Sequence, residues 1–339
     1  MRIRLITAAG CSLLALSVAY SARNSPAGVV VAQDGTGDYR TVQSAVDALS
    51  AEGGVIRIKP GTYEEKITID KPGVQLRGLG TDPSNVVLAW HLNAAVAGGT
   101  FKSASTTITG DDFYAENLTF QNTYLRPETP GATGTQAVAL RVTGDRAVFR
   151  RVRFLSHQDT LYATTAGCMD RGENCKPARQ YFADCYIEGD VDFIFGDAKA
   201  FFDHCEIHSL PRDGSSITAQ SKQHAGEKSG YVFDHCRLTA DAGVSRIYLG
   251  RPWRAYASVV FLNTFMGPQI APAGWSEWQH GATSSLQTAY YAEYNSQGPG
   301  ATMDARDPHT VKLNAAEAAQ YNVHALLAGD DGWDPTKVR

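Results

Sequence analysis

The sequence lacks the motifs of several large enzyme classes. It contains no Gly-x-Ser-x-Gly elbow, no His-Glu-x-x-His, no Walker loop and no complete Gly-x-Gly-x-x-Gly. These absences argue against a serine esterase of the α/β-hydrolase type and against the common nucleotide-binding domains. Cys-x-x-Cys is absent as well, so the usual zinc and thioredoxin patterns do not apply.

The chain also has little charge, with 19% charged residues and a formal net charge of −4 over 339 residues. A general nucleic-acid binder needs an excess of Lys and Arg on one face, so none is expected here. Outside the N-terminus, no apolar run reaches the roughly 18 residues that a membrane span requires. A hydrophobic fraction of 43% predicts an ordered core, and 32 Gly with 10% aromatic residues favours β structure.

The N-terminus has the pattern of a secretory signal peptide. Arg2 and Arg4 precede an apolar stretch that ends in small residues, which predicts a signal over residues 1–27 with cleavage at about 19–27. The expected location is therefore extracellular or periplasmic. Lipid anchoring at Cys11 is the alternative, because the residues before Cys11 loosely resemble a lipobox.

A weak internal repeat is the most informative structural signal. Each copy ends in a short period-two pattern typical of a strand, and the copies recur at irregular intervals of 20 to 34 residues. Such a pattern predicts a solenoid with one coil per repeat, and the strand type makes it a parallel β-helix. The repeats are Tyr114–Phe120, Val148–Phe154, Tyr181–Ile187, Phe201–Ile207, Val232–Leu238 and Val259–Phe265. Their equivalent positions are Leu118, Val152, Cys185, Cys205, Cys236 and Asn263.

The cysteine positions allow more than one interpretation of their redox state. Cys185 and Cys205 occupy the same repeat position on neighbouring coils, where they can form a disulfide or remain buried free thiols. Cys168 and Cys175 flank a loop rich in glycine and charge, for which a local disulfide is predicted. The two Asp-His-Cys triplets that end at Cys205 and Cys236 are explained as repeat copies, and no metal site is predicted.

Short helices are predicted at both ends of the solenoid. Apolar residues recur at helical spacing over Thr41–Leu49, and a capping box at Asn314–Glu317 opens a helix that runs to about Leu327. No change in composition marks a linker, so residues 28–339 are interpreted as a single domain.

Two aspartates stand in apolar segments that can carry chemistry. Asp159 lies in His157–Tyr162, and Asp192 is followed directly by Phe193, Ile194 and Phe195. Two carboxylates that share a groove of low dielectric divide their titration, so that one remains ionised and the other tends to hold a proton. The simpler alternative is that each Asp accepts hydrogen bonds from a turn.

Further polar and aromatic residues accompany the two acids. Arg251 can clamp a carboxylate through two hydrogen bonds, or can form only a surface ion pair. Gln136 heads an apolar strand and can donate to an oxyanion, although a strand-edge role explains it equally well. Aromatic side chains in the same segments suit stacking on sugar rings, with core packing as the default: Tyr162, Phe195, Trp253, Trp275 and Trp278.

These residues belong to a set of short motifs that together resemble the pectin methylesterases (pectinesterases). The resemblance is collinear from Val30 to Trp333, and its specificity comes from the joint occurrence of the motifs in family order. The motifs are Asp34–Val46, Gly61–Glu65, Thr119–Thr123, Gln136–Leu140, Gln158–Tyr162, Asp192–Gly196, Ile217–Gln220 and Leu249–Trp253. The leader without a long pro-region favours a bacterial member.

The resemblance implies a secreted enzyme on a right-handed parallel β-helix that removes C6 methyl esters from galacturonate units of pectin, giving pectate and methanol. It implies Asp192 as nucleophile, Asp159 as general acid and base, and Arg251 as the residue that orients the nucleophile. Gln136 and Gln158 match the amides that hold the oxyanion. The positions matched to the substrate groove are Tyr162, Phe195, Trp253 and Trp275. No metal or cofactor is implied, and a monomer that binds methyl-esterified homogalacturonan is expected.

One departure and three alternatives accompany this prediction. The stretch Ala163–Arg179 is longer than the family pattern has between its catalytic segments, which leaves groove shape and substrate preference open. A polygalacturonase or pectate lyase can share the fold and polymer, an esterase or thioesterase can act on another acyl substrate, and a solenoid of this type can bind carbohydrate without catalysis.

Overall fold

The computed structural model describes residues 28–126, 132–166, 177–279 and 285–339. Within these residues the chain forms 26 β-strands and five short α-helices. The proposed signal peptide with Cys11, and the loop that carries Cys168 and Cys175, lie outside the described residues. None of the helices in the described ranges is long and apolar enough to cross a membrane.

The strands form three parallel sheets. Sheet 1 contains β1 (Val29–Val31), β2 (Gly54–Ile58), β5 (Val74–Gly78), β8 (Tyr114–Glu116), β11 (Ala147–Arg150), β14 (Arg179–Ala183), β17 (Lys199–Asp203), β20 (Gly230–Asp234), β23 (Ser258–Leu262), β25 (Tyr290–Tyr294) and β26 (Val311–Lys312). Sheet 2 contains β3 (Gly61–Glu64), β6 (Val86–Trp90), β9 (Thr119–Asn122), β12 (Arg153–Leu155), β15 (Tyr186–Gly189), β18 (Glu206–Ser209), β21 (Arg237–Ala240) and β24 (Phe265–Met266). Sheet 3 contains β4 (Ile67–Ile69), β7 (Thr106–Ile108), β10 (Leu140–Val142), β13 (Leu161–Ala163), β16 (Ile194–Gly196), β19 (Ser216–Gln220) and β22 (Tyr248–Gly250).

The chain visits the sheets in a fixed cycle. From β2 to β24, consecutive strands lie in sheet 1, sheet 2 and sheet 3 in turn, and each strand pairs in parallel with its counterpart one coil later. Hence the fold is a right-handed parallel β-helix, as predicted. The irregular repeat length is explained by loops inserted between strands, which leave the strand register unchanged.

The interior is filled by side chains that stack from coil to coil. Five phenylalanines on sheet 1 form one continuous stack, with neighbouring ring centroids 4.4–4.8 Å apart. Their rings are nearly parallel because equivalent residues on paired parallel strands point the same way. The stack consists of Phe149, Phe182, Phe202, Phe233 and Phe261.

A second stacked row bends the chain between sheets 1 and 2. From the coil of β8 to that of β25, the bend residue has a left-handed backbone, a conformation that unbranched and polar side chains tolerate better than β-branched ones. This row is Asn117, Arg151, Asp184, His204, His235, Asn263 and Asn295.

The row corrects the repeat alignment. Val232 pairs with Val260, so the last copy is shifted by one residue and Thr264 is equivalent to Cys236. Asn263 instead occupies the bend, where its amide donates to Asp234.

The structure decides between the two alternatives for Cys185 and Cys205, a disulfide or buried free thiols. Cys185, Cys205 and Cys236 are buried and free, so the structure contains no Cys185–Cys205 disulfide. Each sulfur is directed at a backbone carbonyl of the preceding coil, at 3.6 Å for Cys185 and 3.4 Å for the other two. The pairing of Cys168 with Cys175 stays a prediction.

The predicted N-terminal helix is present as α1 (Val42–Ala48). Thr41 is its N-cap and accepts a hydrogen bond from the Ser44 amide. The predicted apolar face buries Val42, Ala45 and Val46 against the first coils of the solenoid. Two further single-turn helices, α2 (Ala94–Ala97) and α3 (Ser285–Thr288), lie in loops.

The C-terminal segment departs from its prediction. The capping box at Asn314 and Glu317 is present, but the helix stops after one turn, and Asn322 caps a second helix. The two helices are α4 (Ala315–Ala318) and α5 (Val323–Leu327). They do not close the end of the solenoid, because Ala318 and Leu327 pack on the outer face of sheet 1, with α5 over the central strand β17.

The interior stack yields a stability prediction. Phe202 lies between two stacked rings and is fully buried. Phe202→Ala leaves a cavity that neighbouring coils cannot fill, so we expect the free energy of unfolding in urea to fall by about 3–5 kcal/mol. The control is Val96→Ala, because the Val96 side chain is 79% exposed and a surface change there should stay within about 0.5 kcal/mol. Equal losses for the two variants would contradict the prediction.

Candidate active site

A groove of about 350 Å³ lies on the outer face of sheet 3. Successive coils each supply part of its lining, from turns that enter the sheet and from outward-facing strand residues. The polar lining consists of Thr100, Gln136, Gln158, Asp159, Asp192 and Arg251. The sequence-predicted polar residues are therefore brought together, although they are spread over more than 100 residues of chain.

The two aspartates occupy equivalent turns on neighbouring coils. Each lies two residues before a paired strand position, since Leu161 pairs with Ile194. Both have left-handed backbones, with φ of 66° at Asp159 and 48° at Asp192. Asp tolerates this conformation, which turns each carboxylate to the groove side of the coil.

Close packing of the coils holds these turns in place. The Asp159 amide donates to the Val191 carbonyl at 3.0 Å, and the Asp192 amide donates to the Ser216 carbonyl at 2.7 Å. Gly189 approaches the previous coil so closely that a Cβ there would lie 2.6 Å from the His157 carbonyl oxygen and would overlap Phe193. A larger residue at this position would displace the turn that carries Asp192.

Arg251 is the cation that pairs with Asp192. It follows β22 directly and clamps Asp192 through two bonds, Nε to Oδ1 at 2.9 Å and Nη2 to Oδ2 at 2.6 Å. The indole of Trp278 covers the guanidinium at 4.5 Å. Burial raises the pKa of Asp192, and the Arg251 guanidinium acts in the opposite direction. The ion pair therefore favours the ionised form of a carboxylate whose side chain is only 7% exposed.

Asp159 has the opposite environment. It is buried, and within the described part of the chain its carboxylate receives no hydrogen bond. Burial raises its pKa well above the ordinary value, and the negative charge of Asp192 adds to this rise. The two acids thus have different tasks available: Asp192 can act as an anion, and Asp159 can hold and release a proton.

Two glutamine amides border the acids. The Gln136 backbone carbonyl accepts from the Ala94 amide at 2.8 Å, which fixes this turn against α2. The Gln158 Oε1 accepts from Arg126 Nη2 at 2.6 Å and from Thr135 Oγ1 at 3.0 Å. Arg126 was not among the sequence candidates, because it stands in a loop without any repeat signal.

The aromatic lining differs in part from the sequence prediction. Phe195 and Trp253 line the groove, together with Phe101 and Trp278. Tyr162 is a support beneath the lining, since its ring is stacked between Phe101 at 4.8 Å and Phe195 at 4.4 Å. The sequence gives no signal for Phe101, which reaches the groove from a loop three coils away from Phe195.

Trp275 is not a groove residue, which corrects the prediction. Its backbone forms a parallel β-bridge with Gly250, which occupies an inward-facing position of sheet 3, so the Trp275 side chain also faces inward. Trp275 is only 2% exposed. Its ring stacks on Tyr291 at 3.9 Å, inside the solenoid. Trp278, three residues later, takes the groove position, and its ring lies 6.4 Å from that of Trp253.

The Asp-His-Cys triplets are divided between the inside and the outside of the coil. The cysteines point into the core, whereas the rings of His204 and His235 stack on the outer surface at 4.9 Å. Across the described ranges, no group of three or more His, Cys, Asp or Glu side chains is arranged to hold a metal ion.

The family model for pectinesterase matches residues 28–330. The chain belongs to the pectinesterase family. Pectinesterases are carboxylic ester hydrolases, so the site described above is that of an esterase family.

Individual relatives can be aligned with this chain over about nine-tenths of its length. Pectinesterase 31 of Arabidopsis thaliana is 38% identical, over 88% of this chain and 92% of its own length. A pectin methylesterase from carrot is 33% identical with a TM-score of 0.77, covering 89% of this chain and 93% of that one. A pectin methylesterase in complex with a hexasaccharide is 29% identical with a TM-score of 0.73, over 90% and 97% of the two chains.

The buried acid yields a prediction about stability and pH. In the unfolded chain an aspartate titrates near pH 3.9, whereas the folded pKa of Asp159 is raised. Folding therefore loses stability through this group as the pH rises from about 4 towards the folded pKa. Asp159→Asn removes that loss, so we expect the unfolding free energy to rise at pH 7, with no gain at pH 3.5.

The matched control has the opposite sign. Hydrogen bonds from Thr36 lower the pKa of the exposed Asp34, so Asp34→Asn should cost stability above about pH 4. Urea unfolding at the two pH values measures both variants. Equal stability of Asp159→Asn and the unchanged protein at pH 7 would disprove the assignment.

Proposed function

We propose that this protein removes methyl esters from the C6 carboxyl groups of galacturonate units in pectin, through an aspartate nucleophile. The observation that carries the proposal is the unequal pair of buried acids, of which Asp192 is clamped by Arg251 and Asp159 lacks a counter-ion bond. An ester needs both a nucleophile and a proton donor for its alcohol, and this pair supplies both without a cofactor.

In the first step the Asp192 carboxylate attacks the ester carbonyl carbon. The carbonyl oxygen becomes a tetrahedral oxyanion, and the side-chain amides of Gln136 and Gln158 donate hydrogen bonds to it. Asp159 in its protonated form gives its proton to the methoxy oxygen as the carbon–oxygen bond breaks. Methanol leaves, and the galacturonate carbonyl remains joined to Asp192 as an acyl anhydride.

In the second step water hydrolyses the acyl-enzyme. Asp159, now a carboxylate, takes a proton from the water while the hydroxyl oxygen adds to the acyl carbon. The bond to Asp192 breaks, which releases the galacturonate carboxylic acid and regenerates both groups. Arg251 stabilises Asp192 as attacking anion and as leaving group.

The surroundings of the acids suit a sugar polymer. Phe101, Trp253 and Trp278 present aromatic faces in an open groove, and such faces stack on sugar rings. A relative of known structure is described as a complex with a hexasaccharide. We therefore propose methyl-esterified homogalacturonan as the substrate and, from the leader pattern, an exported monomer that acts outside the cytoplasm.

The first test is methanol release from highly methylated pectin, with polymer length recorded in parallel. We expect the unchanged protein to release methanol at constant polymer length, and Asp192→Ala to lose at least 10³-fold in kcat because the nucleophile is gone. Asp304→Ala is the matched control, since Asp304 is an exposed carboxylate that does not belong to the groove lining.

The possible outcomes separate the remaining classes of function. Loss of polymer length without methanol would indicate a lyase or a glycosidase. Turnover of a small thioester with none on pectin would indicate another acyl substrate, and binding without turnover would indicate a carbohydrate-binding solenoid.

The second test concerns pH. Arg251 lowers the pKa of Asp192, so Arg251→Gln raises that pKa and reduces the ionised fraction at low pH. We expect the acid limb of the kcat/KM profile for methanol release to move to higher pH. Arg237→Gln, an exposed arginine on sheet 2, should leave the profile unchanged. An acid limb that stays in place in Arg251→Gln would contradict the proposed role.

A further inference from the structure

We propose that Arg126 is a positioning residue, which fixes the Gln158 side-chain amide with its NH2 group towards the groove. This inference rests on the proposed ester hydrolysis and adds to it a residue that lies outside the groove lining. It explains how one of the two oxyanion donors is held in a single orientation before substrate binds.

The orientation follows from donor and acceptor chemistry. A guanidinium group can only donate hydrogen bonds, and Arg126 Nη2 lies 2.6 Å from the Gln158 amide. The carbonyl oxygen Oε1 must therefore face Arg126, where it also accepts from Thr135 Oγ1 at 3.0 Å. Nε2 is then on the opposite side of the planar amide.

The free side of the amide is the groove side. Gln158 lines the groove together with Asp159 and Asp192, and within the described residues no protein acceptor takes a hydrogen bond from its Nε2. If the Gln158 amide were rotated by 180°, its oxygen would lose both hydrogen bonds. Its NH2 group would also face the Arg126 guanidinium, which cannot accept a hydrogen bond. The Nε2 hydrogens are thus left available for an oxygen that develops negative charge.

A buried carboxylate holds Arg126 in turn. Both oxygens of Asp190 lie 3.0 Å from Arg126 Nη1, and the side chains of this pair are only 11% and 5% exposed. His157 Nδ1 is 3.5 Å from the same carboxylate. Asp190 precedes Asp192 by two residues, so the support of the oxyanion donor and the nucleophile share one turn.

The chain of contacts therefore crosses three successive coils. Arg126 comes from the loop after β9, Gln158 from the turn before β13, and Asp190 from the turn before β16. Arg126 also lowers the pKa of both Asp159 and Asp192 through its charge. An experiment on positioning must therefore be made where those two acids no longer change their ionisation.

The test is a double-mutant cycle on methanol release, measured on the pH plateau above the acid limb. Gln158→Ala should lower kcat about 10²-fold, the usual cost of one oxyanion donor. Arg126→Met should lower kcat by about 10-fold or more with KM within about 2-fold, because the lost interaction is made in the transition state. In the Gln158→Ala background the same Arg126→Met change should cost less than about 3-fold.

Two further variants serve as controls for the loss of an arginine and for the loss of a hydrogen bond to Gln158 Oε1. Arg151→Met removes a surface arginine that pairs with Glu116 and should leave kcat unchanged. Thr135→Val leaves the Arg126–Asp190 pair intact, and should lower kcat several-fold only while Gln158 is present. If Arg126→Met does not fold by thermal melting, the double variant Arg126→Met/Asp190→Asn, which removes both charges of the buried pair, takes its place with the same expected loss in kcat.

The outcomes are distinct from those of the proposed function. No methanol from the folded, unchanged protein would reject ester hydrolysis itself. If the unchanged protein is active, three results would reject the positioning role alone. In these results Arg126→Met leaves kcat unchanged, alters only KM, or lowers kcat by the same factor with and without Gln158→Ala.

Discussion

The parallel register between neighbouring coils is the constraint on which the rest of the molecule depends. It makes residues one repeat apart lateral neighbours, whatever the length of the loop between them. The phenylalanine stack, the left-handed bend row and the free thiols are all consequences of this one rule. The same rule brings Asp159 beside Asp192, so that an active site arises from equivalent positions of a repeat.

The site combines the burial of two acids with an arginine, Arg251, whose two hydrogen bonds to an acid both go to Asp192. Removing both carboxylates from water raises both pKa values, and only Asp192 has a bidentate partner that opposes the rise. This asymmetry assigns different protonation states to chemically identical side chains. It also means that the fold carries a buried group that is unfavourable at neutral pH, which is the common cost of an active site.

The sequence predicted the coil architecture and the polar centre because both depend on residue types at fixed repeat positions. The prediction of the groove lining was wrong where it depended on whether a side chain faces the interior or the groove. Trp275 and Trp278 stand three residues apart, and only the bridge from Trp275 to Gly250 determines which of them points inward. Arg126 was missed because it reaches Asp190, 64 residues away, from a loop without periodic pattern. The C-terminal helices were predicted at the solenoid end, because a capping box reveals a helix start but not its docking surface.

The docking of the C-terminal segment on sheet 1 has a consequence for the order of folding. Tyr181, Phe201 and Val232 face outward on central strands and are covered by residues that follow Val311. During synthesis these strands are complete long before their cover exists, so a nascent or clipped chain presents an apolar sheet surface to its surroundings. The segment that follows Val311 therefore acts as a protective layer for sheet 1, and this sheet surface stays exposed until that segment has been synthesised and has docked.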